Sequence, residues 1–264
     1  MRALNIYFNK QNSPGVMAAK LWIREGSRND SKGNKGIHQL LGSLLCRGCG
    51  PYNYLEIGDL IEGCGASLHC ETYEDGILIS LKCIEDDAYK LLPIIGWMIK
   101  EPHINAKQIK LEKELTIQSI SRQKEDPFYK TFDGWRQIAF RETPYGHDPL
   151  GTISDLKNLE DNDLIALANE LPTRSKVLVI AGSYPNDLEQ KINEIEPFDQ
   201  LLQQNCLKKH GDENFNLNNY KVQNKSDIKL QFENTSQVVF MIGQPTIGYS
   251  HKDAISLQLL SCYL

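Results

Sequence analysis

A chain of 264 residues, 41% hydrophobic and 24% charged with a formal net charge of -5, can bury a sizeable core and has the composition of a globular protein. The acidic balance, with no stretch interleaving Lys/Arg and aromatics, argues against a nucleic-acid surface, and the longest apolar runs, such as residues 91–99, are far shorter than a membrane span. The opening MRALNIYFNKQNSPG lacks the apolar segment and cleavage site of a secretory leader, which sets a cytoplasmic location as the expectation.

In chain order, residues 16–25 (VMAAKLWIRE) read as a buried strand, and the polar GSRNDSKGNKG is a loop feeding a helix over residues 36–47 that stops at Gly48. Residues 54–62 form a second amphipathic helix, ended by Gly63 and Gly65. Alternation over residues 67–73 and 77–83, joined by Glu74-Asp75-Gly76, predicts a hairpin. Two long helices follow at 86–100 and 105–123, broken by Pro102, and another at 128–140. TPYGHDPLGT, residues 143–152, is a Pro/Gly-rich ordered loop. Residues 161–171 are helical, KVLVIAG (176–182) is a buried strand, and 186–194 is a closing helix.

Composition then changes. Residues 197–227 are rich in Asn, Gln and Lys and read as a linker. Beyond it, SQVVFMIGQP and an apolar helix from His251 mirror the strand, loop and helix at the beginning. The expected organisation is therefore an α+β domain over 1–196, a linker over 197–227, and the opening of a second, homologous domain over 228–264, the chain being a fragment.

The chemistry centres on GIHQLLGSLLCRGCG, residues 36–50. His38 is either a structural histidine at a helix N-terminus or a residual metal ligand, and the first is favoured. Cys46 and Cys49 form a CxxC that has the look of a redox or half-zinc motif. They sit at a helix C-terminus, where the dipole raises a thiol pKa, and no second CxxC supplies further ligands. Cys64, Cys70 and His69 are the residues that would complete a site if folding gathered them. The other cysteines, Cys83, Cys206 and Cys262, bring the total to an odd seven at irregular spacing, which suits free thiols in a reducing compartment. The acidic run 71–75 lacks a calcium-loop pattern and reads as a solvated turn.

Several segments together resemble the pitrilysin/insulinase family of zinc peptidases, which includes the mitochondrial processing peptidases. They are EGSRND, the Gly36-Ile37-His38 helix start, GCGASLHCETYEDG, LEKELTIQSISRQKEDP, TPYGHDPLGT and KVLVIAGSYP, in the family's order. Active members carry H-x-x-E-H, in which two histidines bind zinc and the Glu is general base; a Glu on a later helix completes the ligands. Aligned to this motif, His38 keeps the first ligand, Leu41 occupies the base position and Gly42 the second ligand position. Ser119 falls where the third ligand stands, and Glu112 and Glu114 lie out of register. The resemblance thus implies a zinc cofactor in active relatives but none in this chain, and a protein leaning away from intrinsic catalysis.

In the resembled family two domains or subunits enclose the substrate like a clam, and some pairs combine a zinc-bearing chain with one that has lost the metal. The implied role is a non-catalytic chamber half, partnered by an active zinc-bearing homologue or by a second copy. Extended peptides would add to an edge strand at Ser67, Leu68, His69, Cys70 and Glu71. Two alternatives stay open: an active zinc endopeptidase using His38, His69 and a cysteine, and a non-proteolytic assembly module like the family members built into a respiratory complex.

Overall fold

The computed structural model describes residues 2–12, 14–141, 143–206, 227–234 and 236–263. The strands are β1 (Leu4–Lys10), β2 (Val16–Ile23), the short β3 (Gly48–Cys49) and β4 (Tyr52–Asn53), β5 (Ser67–Thr72), β6 (Ile77–Ile84) and β7 (Lys176–Gly182). The helices are α1 (Ile37–Leu45), α2 (Tyr54–Gly63), α3 (Ala88–Lys100), α4 (Ala106–Gln123), α5 (Pro127–Ala139), α6 (Ile153–Asn158), α7 (Asp161–Glu170), α8 (Leu188–Lys191), α9 (Phe198–Leu201) and α10 (Ala254–Tyr263). The α+β expectation holds.

The five long strands form one sheet in the order β1-β7-β2-β6-β5, antiparallel except where β1 runs parallel to β7. Strand alternation gives the sheet one apolar and one exposed face. Met17, Ala19, Leu21 and Ile23 of β2, with Ile77, Ile79 and Leu81 of β6, point into the core. The opposite face carries a row that runs Tyr7, Val179, Lys20, Ser80, His69 across the strands. Helices cover the apolar face: α3 packs on β6 and β2, and α1 lies among β5, α4 and α7. Leu40, Leu41, Leu44 and Leu45 of α1 are fully buried, so this helix is the centre of the core rather than a surface element.

The sequence reading misses β1, β3, β4, α6 and α9. β1 is polar-laced (LNIYFNK) and becomes a strand by pairing with β7, which arrives far later in the chain; α6 is a single capped turn or two, with Thr152 Oγ1 accepting the Asp155 N–H at 3.1 Å.

The linker expectation is corrected at its start. Phe198 and Leu201 of α9 are buried, Pro197 and Phe198 pack so close to Gly96 of α3 that a side chain there would collide with them, and Arg2 bridges to Asn205. The polar composition hid two apolar anchors that dock on α3, and the first packed unit reaches at least residue 205. The rest of the predicted linker, residues 207–226, lies outside the described residues.

Farther on, α10 forms where a helix was expected, but 236–246 pair into no sheet among the described residues. Strand-forming composition needs a neighbouring strand to satisfy its backbone, and Val238, Phe240 and Ile242 are instead strongly exposed. Residues 227–234 lie along α5, held by Lys130 to Glu233 at 3.0 Å and Lys229 Nζ donating to Gln137 at 2.9 Å.

Candidate functional site

The region around His38 begins with the start of α1. Gly36 precedes the helix at φ 95°, a left-handed conformation that suits glycine, and any Cβ there would meet the Leu150 carbonyl oxygen at 2.6 Å. With glycine at the cap position the helix has no side-chain cap of its own, and Asp30 supplies one from the preceding loop. Its carboxylate accepts the Gly36 N–H at 2.7 Å and the His38 N–H at 3.4 Å. An anion at this end is also favoured by the helix dipole.

The same carboxylate meets the His38 ring. Nδ1–H donates to Asp30 Oδ1 at 2.6 Å and Nε2–H donates to Glu25 Oε2 at 3.1 Å. Each ring nitrogen of His38 is thus engaged by a carboxylate acceptor. Burial alone would push the His38 pKa down, but the bonds to Asp30 and Glu25 outweigh it and hold the pKa above its ordinary value. Burial likewise opposes ionisation of Asp30, but the hydrogen bond from His147, at 3.3 Å, and that from His38 hold its carboxyl below the usual range. Glu25 is held on its other oxygen by Arg174 Nη1 at 2.8 Å, and Arg174 also pairs with Glu170. His38 is therefore one member of a network of acidic and basic side chains linking the β2–α1 connection, α1, the 143–152 loop and the approach to β7.

That loop is read from sequence as structural, and its contacts are of that kind. His147 bonds Asp30, Asp148 pairs with Arg136 at 3.1 Å, and Gly151 passes so close to the Lys35 carbonyl that only a glycine fits. The acidic turn is not simply solvated. Asp75 accepts from Arg28 at 2.6 Å and from the Tyr145 hydroxyl at 2.7 Å, which pins the β5–β6 hairpin to the segment that carries Asp30.

The other residues singled out by sequence lie as follows. Leu41 is fully buried in the apolar core. Gly42 packs against Thr72 so tightly that a Cβ would fall well inside contact with Thr72 Oγ1, which itself donates to the His38 carbonyl at 3.3 Å. Ser119 is on the exposed side of α4 and its hydroxyl donates to the Leu115 carbonyl one turn back. Glu112 is buried and bound by Arg47, whose Nε donates at 2.6 Å.

His69 and Cys70 are neighbours on β5 and so face opposite sides of the sheet. His69 is exposed on the outer face, while Cys70 faces the core opposite Ile79. The proposed combination of His38, His69 and a cysteine is accordingly not assembled, and among the described residues no group of three or more His, Cys, Asp or Glu is placed to hold a metal ion. Within the CxxC, Cys49 is buried, bonded to the Ile94 carbonyl, and pushed up to about 12 by burial. Cys46 departs from the expectation: its interaction with Cys70, aided by the Arg47 charge, lowers its pKa against the opposing effect of burial.

Strand β5 ends the sheet, paired with β6 on one side and with no strand on the other among the described residues. No helix among those residues is long and apolar enough to cross a membrane.

A mixed five-stranded sheet with helices packed on one face, the first of them holding a buried histidine, defines an α+β domain. The model of the insulinase family, peptidase family M16, matches residues 7–153, and the chain belongs to that family. Among relatives, it is 20% identical over 257 residues to subunit 1 of the mitochondrial cytochrome b-c1 complex of Caenorhabditis elegans, covering 97% of this chain and 53% of that one. It is 22% identical over 250 residues to the beta subunit of the Bos taurus mitochondrial-processing peptidase, covering 90% and 48%. A solved inactive domain of a Pseudomonas fluorescens M16 peptidase superposes with a TM-score of 0.67 at 18% identity, over 77% of this chain and 50% of that one. The chain spans about half the length of the curated relatives it matches.

Proposed function

We propose that this chain is a catalytically silent member of the insulinase family, forming one half of a peptide-enclosing chamber whose other half is an active, zinc-bearing homologue. The observation that carries this reading is the bonding of His38. A histidine binds zinc through a free ring nitrogen, and here both ring nitrogens of His38 are taken up by Asp30 and Glu25.

The remaining positions agree. Leu41 offers no carboxylate to take a proton from a metal-bound water, Gly42 offers no donor and stands where a longer side chain would strike Thr72, and the Ser119 hydroxyl is committed to its own helix. These residues do not fit a zinc ion, and no catalytic step is derived through one. What the chain retains is the scaffold and the edge strand Ser67–Thr72, whose outer backbone groups suit pairing with an extended peptide. The kinship to a processing-peptidase beta subunit supports an assembly with a second family member, and kinship to a cytochrome b-c1 subunit supports the alternative of a purely structural place in a larger complex.

The test is metal analysis and peptide hydrolysis on the purified chain, alone and mixed with an intact H-x-x-E-H homologue from the same source. The expected result is no stoichiometric zinc and no hydrolysis alone, with a stable complex and activity on mixing. Stoichiometric zinc with hydrolysis abolished by His38→Ala would overturn the reading, and a stable complex free of any peptidase subunit would replace it with the structural role.

A further inference from the structure

We infer that Cys46 and Cys70 are a reactive dithiol that closes to an intramolecular disulfide, clamping the end of α1 to the sheet's edge strand. The two residues come from different elements and are brought together by the packing of α1 on β5. Cys46 stands one helical turn beyond Gly42, on the same face of α1. A Cβ at Gly42 would lie 3.8 Å from Cys70 Sγ, so the Cys70 sulfur sits directly beneath that face.

The two thiols lie within interaction range of one another and both are partly exposed, whereas Cys49 and Cys83 are buried. The roles within the pair are unequal. The contact with Cys70 and the charge of Arg47 lower the Cys46 pKa, and the same contact raises that of Cys70. Cys46 is thus the thiol that ionises more readily and reacts first, and Cys70 is the resolving thiol.

With a hydroperoxide as the two-electron oxidant, the Cys46 thiolate attacks the peroxide. The O–O bond breaks, an S–O bond forms, and one oxygen leaves as hydroxide that is protonated to water. The Cys70 sulfur then attacks the Cys46 sulfenic acid, losing its proton as the S–S bond forms and the S–O bond breaks to release a second water. Two thiols are oxidised to one disulfide and hydrogen peroxide is reduced to two waters. The loop so closed runs from residue 46 to 70 and contains β3, β4 and α2. Its closure fixes the position of β5 relative to α1, the contact on which the edge strand rests.

The experiment uses the full reduced chain treated with graded hydrogen peroxide, then alkylated and mapped by peptide mass. One cross-linked peptide pair joining Cys46 and Cys70, dominant over all others and removed by dithiothreitol, is expected. Cys46→Ser and Cys70→Ser should each abolish it, and Cys49→Ser should leave it unchanged. In the absence of oxidant, iodoacetamide should modify Cys46 several-fold faster than Cys49 or Cys83. A cross-link joining other cysteines, or Cys46 driven to sulfinic acid while Cys70 remains alkylatable, overturns the proposal. Should Cys46→Ser fail to fold, the wild-type map and Cys70→Ser decide the matter in the same way.

Discussion

Replacing Gly42 by alanine tests whether α1 has room for a side chain at this position. In a helix interior Gly→Ala is ordinarily stabilising by about 1 kcal/mol, because alanine loses less backbone freedom on folding. Here the new methyl would meet Thr72 Oγ1 well inside contact, and turning the threonine to escape breaks its bond to the His38 carbonyl. Overpacking costs about 1–3 kcal/mol and the lost hydrogen bond about 1 kcal/mol, against the propensity gain of about 1 kcal/mol, so the net effect in the wild-type background is a destabilisation of about 1–3 kcal/mol. In a Thr72→Ala background the obstruction is gone: the nearest remaining atoms are the residue 72 Cβ at 3.6 Å and Cys70 Sγ at 3.8 Å, both ordinary contacts. There the same Gly42→Ala change should stabilise by about 1 kcal/mol. The assay is urea denaturation of the four proteins of the cycle, with a coupling of about 2–4 kcal/mol between positions 42 and 72 expected. If Gly42→Ala stabilises the wild type, or acts equally in both backgrounds, the argument that the helix has no room for a histidine there is wrong.

His38→Gln removes a buried cation from between two carboxylates and should destabilise by about 3–5 kcal/mol, measured by chemical denaturation. The raised His38 pKa gives this term a pH dependence: its contribution is full below the unfolded value and is lost as pH rises through the folded one, so the stability gap between wild type and His38→Gln should narrow on the alkaline side. Asp30 acts in the opposite direction, its contribution being present above the unfolded carboxylate value and lost as pH falls through its lowered one; Asp30→Asn should flatten the acid limb of the stability curve. Lys176 is buried, with its ammonium pushed down to about 7 by desolvation, so wild-type stability should carry a component that rises from pH 7 toward 10, and Lys176→Met should remove it. Phe198→Ala should cost about 3–5 kcal/mol, and a chain shortened to end at residue 196 should melt below one ending at 206, since α9 is anchored in the core.

Much of the secondary structure was legible because it is encoded locally. The β5–β6 hairpin was readable from alternation on either side of Glu74-Asp75-Gly76, and α1 from its apolar run and the stop at Gly48. The elements missed are those whose signal lies elsewhere in the chain. β1 is a strand because β7 runs beside it, and α9 joins the core through Phe198 and Leu201 against a polar background. The β-rich 236–246 segment failed in the opposite sense, since a strand also requires a neighbour to pair with.

By itself the sequence determined the family resemblance and which residues stand at the chemically decisive positions: Leu41, Gly42 and Ser119 are read directly and no folding can give them ligand chemistry. It also placed His38 at the start of a buried helix. Only the tertiary structure decided what His38 does there, because Glu25 and Asp30 of the β2–α1 connection take up both its ring nitrogens and are themselves held by Arg174 and His147 from two segments far along the chain. The same holds for Cys46, where a helix-dipole argument predicted a raised pKa and a thiol from the neighbouring strand reverses it. Residue identity limits which bonds a side chain can make, but charge, pKa and reactivity depend on partners within a few ångströms, and those partners are set by packing between segments distant in sequence.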